Sequence, residues 1–127
     1  MRIYKNGWFT KFARKERISD TALCDAIRRA EQGLVDADLG GGLVKQRVAR
    51  DGEGKSGGYR TLIFFRQGAL GIFAFGFAKS DRANLDAAEL AVFKKAARLV
   101  LALSQAQIDI EVKAGRLTEV NCGDENL

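Results

Sequence analysis

Apolar and polar positions change their period several times along this chain. From Leu43 to Arg50 they alternate, with Val44, Gln46 and Val48 on one face and Lys45, Arg47 and Ala49 on the other, the pattern of a strand. Tyr59-Arg-Thr-Leu-Ile-Phe-Phe-Arg66 is apolar apart from its ends and Thr61, as expected of a strand buried on both faces. A tight turn at Gln67-Gly68 leads into Ala69 to Lys79, a third strand in which Phe73, Phe75, Phe77 and Lys79 share a face. The three runs predict an antiparallel meander, and Asp51 to Gly58, rich in glycine, predicts a flexible connection between the first two.

Helical spacing flanks the meander. Phe9, Phe12 and Ala13 form a short apolar face inside a basic segment (Lys11, Arg14, Lys15, Arg17), and Ile18 marks a corner. With Ser19 or Asp20 as N-cap, the series Leu23, Ile27, Ala30, Leu34 predicts a second helix stopped near Gly33, its Arg28 and Arg29 toward solvent. These helices read as a hairpin lying on the sheet, and Gly40-Gly41-Gly42 ends the helical pattern. After Asn84 as N-cap, the stripe Leu85, Ala88, Val92, Ala96, Leu99, Val100, Leu103 predicts a long helix. A shorter helix over Gln105 to Ala114 ends at Gly115, and Arg116 to Val120 is a tail or an edge strand. Helices bracketing a meander place the chain in the α+β class.

With 127 residues and 46% hydrophobic content, the pattern predicts one domain over residues 1–127, large enough to bury roughly two-thirds of its unfolded surface. No apolar run reaches the roughly 18 residues that span a bilayer, and Met1-Arg-Ile-Tyr-Lys lacks the apolar core of a secretory signal, so a cytoplasmic protein is expected. Cys24 and Cys122 stand far apart with no CxxC or Cys/His grouping, which predicts neither a disulfide framework nor a zinc site. Cys24, beside Leu23 and Ile27, reads as a small core residue.

Charge sharpens this picture. The net charge is +5 and the pI about 9.5, and the excess is local. Between Gly41 and Arg82 eight cations (Lys45, Arg47, Arg50, Lys55, Arg60, Arg66, Lys79, Arg82) face three acids (Asp51, Glu53, Asp81), whereas acids prevail from Ala83 onward. Unpaired cations are not buried in otherwise apolar strands, so Lys45, Arg47, Arg60 and Lys79 must meet solvent or a polyanion. Nucleic acid therefore leads the possible partners.

The chain contains no histidine, which excludes Ser-His-Asp triads, paired-His ribonuclease chemistry and His-based metal sites. Asp51, Glu53 and Asp81 show no metal-ligand spacing, and Gly52-x-Gly54 with Lys55-Ser56 lacks the GxxxxGK[ST] spacing and following helix of a phosphate-binding loop. No cofactor or metal is expected. What remains is cationic catalysis on a phosphodiester, with RNA supplying its own 2′-OH nucleophile. Because a crowd of cations penalises protonation of an amine among them, Lys45 beside Arg47 is the candidate base. Arg60 is the candidate planar clamp on phosphate, and Lys79 the group at the leaving oxygen. Arg50, Lys55 and Arg82 are candidate RNA contacts, and Tyr59 and Phe77 candidate stacking platforms.

Leu43-Val-Lys-Gln-Arg-Val-Ala-Arg50, Lys55-Ser-Gly-Gly-Tyr-Arg60, and Phe75-Gly-Phe-Ala-Lys-Ser-Asp-Arg-Ala-Asn84 with the helix after it resemble RelE/HigB-type toxins of bacterial toxin-antitoxin systems. The resemblance runs from Phe9 to Val120. It implies a small antiparallel sheet with two N-terminal helices packed on it. It also implies an endoribonuclease that cuts mRNA, usually in the ribosomal A site, and leaves a 2′,3′-cyclic phosphate, with Lys45, Arg47, Arg60 and Lys79 as its basic cluster. A helix-turn-helix antitoxin of the HigA type that masks the basic surface, and contact with operator DNA through that antitoxin, are implied as well. Several relatives carry a Tyr or His near the last helix, where this chain has Arg82-Ala-Asn-Leu-Asp86. A ParE-like gyrase poison of the same fold and a non-catalytic RNA-binding module are the other readings.

Overall fold

A computed structural model describes the backbone of residues 1–50 and 54–123 and the side chains of 1–50 and 57–123. The chain opens with an unexpected strand, β1 (Arg2–Asn6), too short for its alternation to register, in which Ile3 and Tyr4 are buried on opposite faces. Asn6 ends it and caps α1 (Gly7–Glu16), its side-chain oxygen accepting from Phe9 N at 2.8 Å. Such a cap contributes about 1 kcal/mol. Ser19, one of the two candidates the sequence offered, caps α2 (Asp20–Glu31) in the same way.

Gly33 stops α2, but Leu34, expected in the core, is 60% exposed because the chain has already left the helix. A second unexpected strand follows, β2 (Ala37–Gly40), and the three glycines that break the helical pattern turn it into β3 (Leu43–Arg50), all three with positive φ. The meander continues through β4 (Gly54–Arg66) and, after the turn at Gly68, β5 (Leu70–Ala78). Helices α3 (Ala87–Leu101) and α4 (Gln105–Lys113) come next, then the edge strand β6 (Leu117–Glu119). The sheet order is β2-β3-β4-β5-β1-β6, antiparallel except where β1 lies parallel to β5.

Both faces of this sheet are covered. Helices α1 and α2 pack on one, with Phe9, Leu23 and Ile27 against Val44, Val48, Tyr59, Ile63 and Phe73. On the other face, Ala97 and Ile108 of α3 and α4 meet Leu43, Leu62, Phe64 and Ile72. Each fully buried apolar side chain of this kind stabilises the fold by about 1.5–3 kcal/mol. Gln46, fully buried, is satisfied by donating to Ala26 O and Leu34 O at 2.9 and 3.0 Å and accepting from Asp36 N at 3.0 Å.

Several expectations are corrected. A bulge between the pairs Leu62↔Phe75 and Ile63↔Phe73 breaks the alternation of β5, so Phe73 faces α1 while Phe75 faces α3. The buried side of α3 is Leu90, Phe93, Ala97 and Leu101, leaving Val92 and Leu99 66% and 64% exposed. Opposite Lys94, Lys95 and Arg98 the apolar arc of this helix is wide enough to hold both stripes, and its N-cap is Asp86, not Asn84. Arg29 does not simply point to solvent, since its guanidinium donates to Arg47 O at 2.7 Å. Cys24 and Cys122 form a disulfide, their Cα atoms 5.9 Å apart, because β6 returns the chain past α2. Val120 N donates to Ile3 O and Asn121 N to Asp20, which fixes the two residues that lead into Cys122.

The backbones of β3 and β4 close tightly at Gly58, where an added Cβ would lie 2.1 Å from Val48 O. Gly58 thus belongs to β4, not to a flexible connection. Gly58→Ala is expected to lower stability by about 3 kcal/mol, read as an earlier urea midpoint. Arg17, the C-cap of α1, sits at φ 57°, a conformation that costs an L side chain energy. Arg17→Gly is expected to raise stability by about 0.5–1 kcal/mol in the same measurement.

Candidate functional site

Cross-strand register decides which cations meet. Arg47 lies directly opposite Arg60, and Arg60 directly opposite Phe77, so the three side chains form one row across β3, β4 and β5. Lys45, opposite Leu62, shares their face one step along β3. This is the α3 face, but α3 and α4 cover its other end, leaving Arg47 exposed and Lys45 and Arg60 half-buried. Lys79 follows directly on β5 and is exposed at the same end.

Like charges directly opposite in a ladder repel. Arg47 is relieved by Asp36, which accepts from its backbone N at 2.6 Å and lies 3.7 Å from its guanidinium. Arg60 has no such relief at one nitrogen: its Nη1 is buried and has no hydrogen-bond partner among the described residues. A buried charged donor left unsatisfied is costly, and an anion on this face would remove the cost. Among the described residues Lys45 and Lys79 form no ion pair either.

Arg82 closes the corner beyond β5. Its guanidinium stands 5.4 Å over the Phe77 ring and is held by Glu89 through two hydrogen bonds, one of 3.1 Å. Glu89 also accepts from Asp86 N, completing a reciprocal cap at the start of α3. The Arg82 hydrogen bonds, followed by the one from Asp86 N, hold the Glu89 carboxyl below the usual carboxylate range. The same pairing raises Arg82 above its ordinary value.

Three of the sequence candidates fall elsewhere. Tyr59 is 1% exposed in the core under α1, its hydroxyl donating to Glu16 at 3.1 Å, so its ring offers no face to a base. Arg50 lies 5.7 Å from the Tyr59 ring and therefore on the α1 side of the sheet, away from the row. Phe77 is on the right face but 5% exposed beneath Arg82, which occupies the place a stacking base would take. The Lys55 side chain lies outside the described residues. Asp36 and Glu89, the acids that engage Arg47 and Arg82, are the neighbours the sequence reading missed. Glu89 was legible as the fourth residue of an Asp-x-x-Glu capping box; nothing local marked Asp36.

The family model described as RelE toxin of RelE / RelB toxin-antitoxin system matches residues 1–120. No curated protein matches the chain. Among the described residues, no helix is long and apolar enough to cross a membrane.

The Arg82–Glu89 clasp carries a pH dependence of known sign. Because the folded-state Glu89 carboxyl is depressed, its contribution to stability is complete above the ordinary carboxylate pKa and disappears as pH falls through the lowered value. The stability gap between the native chain and Glu89→Gln is expected to stay constant near neutral pH and to close on acidification. Carboxyl NMR should show Glu89 titrating below an ordinary glutamate, and Arg82→Ala should move it back up.

Proposed function

The chain belongs to the RelE family of toxins of toxin-antitoxin systems, and from that premise we propose that it is an mRNA-cleaving endoribonuclease acting in the ribosomal A site without a metal. The observation that carries this reading is Arg60, half-buried with an Nη1 unpartnered among the described residues and set directly opposite Arg47 in the ladder at the open end of the sheet. A phosphodiester seated at that end screens the two guanidinium groups from one another, and a turn of the half-buried Arg60 side chain brings its orphan donor out to the phosphate. The planar fork of Arg60 suits two oxygens of one phosphate.

In this mechanism the 2′-OH of the scissile nucleotide attacks the adjacent phosphorus, and the bond to the 5′-oxygen of the next nucleotide breaks. The Lys45 amine accepts the 2′-OH proton. Lys79 as ammonium donates a proton to the departing 5′-oxygen, so the products are a 2′,3′-cyclic phosphate and a 5′-hydroxyl. Arg47 and Arg60 neutralise the charge that builds on the two non-bridging oxygens. Arg82, fixed by Glu89, binds a neighbouring phosphate. The chain has no imidazole to align the nucleophile, and the ribosome, by holding the codon in a defined conformation, supplies that alignment. The partner that silences the activity is a helix-turn-helix antitoxin of the HigA type, which covers the basic end of the sheet and carries the complex to operator DNA.

Incubation with translating ribosomes, followed by mapping of mRNA 5′ ends, tests the reading. New ends at a fixed position within the A-site codon are expected, and substitution of a 2′-deoxynucleotide at the cut should abolish them. Arg60→Ala is expected to slow cleavage about a hundredfold or more with an unchanged circular dichroism spectrum, and Arg60→Lys to recover little of it. RNA that is bound but never cut would reduce the chain to a binding module, and a Lys45→Ala variant cleaving at the native rate would remove Lys45 as the base.

A further inference from the structure

Strand β5 outruns its neighbour. Its register with β1 ends at Lys5↔Phe73, because the chain turns at Asn6 into α1 and only the Asn6 side chain continues the contact, donating to Ala74 O at 3.1 Å. Trp8, in the first turn of α1, sits on the flank this leaves open. Its ring lies 4.4 Å from that of Phe75 and stacks on Phe12 at 5.1 Å with 19° between planes, yet 44% of the residue remains exposed. Phe75 in turn stands 6.2 Å from Phe77, which lies under Arg82 and opposite Arg60. A continuous aromatic row therefore leads from the proposed phosphate site to an exposed indole.

The helix that carries the indole is basic on the same side. Lys11 and Lys15 follow Trp8 by three and seven residues, which returns them to its face, and both are exposed. The first turn of α1 holds no acid. Cations spaced beside an exposed aromatic ring are the elements of a single-stranded nucleic-acid track, in which bases stack and phosphates are matched by charge. Phe12 stacked on the ring and Phe75 tilted against it already fix the indole in place, so covering the part that stays exposed with a base costs little further ordering.

We propose that Trp8 is the stacking platform for a nucleotide neighbouring the scissile one, with Lys11 and Lys15 receiving the phosphates beyond it. This rests on the ribonuclease reading and extends it: the single RNA strand runs from Arg60 along the flank of β5 onto α1, and the strength of stacking on Trp8 biases which bases are accepted beside the cut.

The chain contains one tryptophan, so its emission reports this position alone. A 2′-O-methyl oligoribonucleotide carrying a 5′ fluorophore binds without being cut, and anisotropy and tryptophan emission are followed in one titration. Quenching in step with the anisotropy rise is expected. Trp8→Ala should weaken binding about tenfold, Trp8→Phe should restore most of it, and thermal melts of both variants show whether the fold is kept. On translating ribosomes, Trp8→Ala should alter the base preference flanking the mapped ends, and Trp8→Phe should return it toward native. RNA that binds with unchanged emission and equal affinity for Trp8→Ala would overturn the proposal and leave the ribonuclease reading intact. So would emission that responds only to the antitoxin, which would make Trp8 a protein contact. Where the free oligonucleotide does not bind, the ribosomal map decides, and an identical preference in Trp8→Ala refutes the platform. No new ends for the native chain would instead end the ribonuclease reading, and the platform with it.

Discussion

Two arginines held face to face across a β-ladder are the constraint around which this molecule is arranged. Arg47 and Arg60 are fixed opposite one another by register, and register is fixed by burial of the strands that carry them, since a slip of one residue would turn every core side chain outward. The repulsion is thus built in by the same contacts that stabilise the sheet. It is tolerated because the core on both faces is large, and it is concentrated where α3 and α4 do not reach. Stability generated at the covered end of the sheet holds an unfavourable charge arrangement at the open end, as expected of a surface prepared for an anion.

The close approach of β3 and β4 at Gly58 serves that arrangement. Only Tyr59 separates Gly58 from Arg60, and the absence of a Cβ at Gly58 lets the backbone of Val48 and Ala49 lie against it. A looser ladder would weaken the register that sets Arg47 opposite Arg60. The bulge in β5 has a parallel effect on the neighbouring strand: it turns Phe75 to the α3 face, so that Phe75 and Phe77 continue the row that Arg60 begins. With strict alternation throughout β5, an aromatic flank on this side would not exist.

Much of this was legible in the sequence, for identifiable reasons. The meander, the caps at Ser19 and the turn at Gly68 follow from local patterning, and the shared face of Lys45 and Arg47 follows from the two-residue period of a strand. What the sequence did not reveal was non-local. Strands β1 and β2 are too short to show a period. The phase of α3 is ambiguous because Val92 and Leu99 are as apolar as Phe93 and Leu101, and only the sheet chooses between the two stripes. The Cys24–Cys122 bond joins residues 98 apart, and no spacing signals it. Among the candidate site residues, Tyr59 and Arg50 were misplaced because composition shows an aromatic or a cation without showing its face. Phe77 was misjudged because its cover, Arg82, comes from the next loop.

The acids near the site sort its cations into two groups. Arg47 is engaged by Asp36 and Arg82 by Glu89, so neither guanidinium is free to follow a moving charge, and both are suited to holding a phosphate in a fixed place. Lys45, Lys79 and the Nη1 of Arg60 have no such partner among the described residues. Proton transfer needs an amine that can change its charge state, and a carboxylate in contact would oppose that by stabilising the ammonium. In the proposed mechanism, leaving the two lysines without acids while pairing the flanking arginines separates the groups assigned to proton transfer from those assigned to holding phosphate. On that reading, a protein without histidine divides the labour of a ribonuclease between its lysines and its arginines, provided that its substrate arrives already aligned.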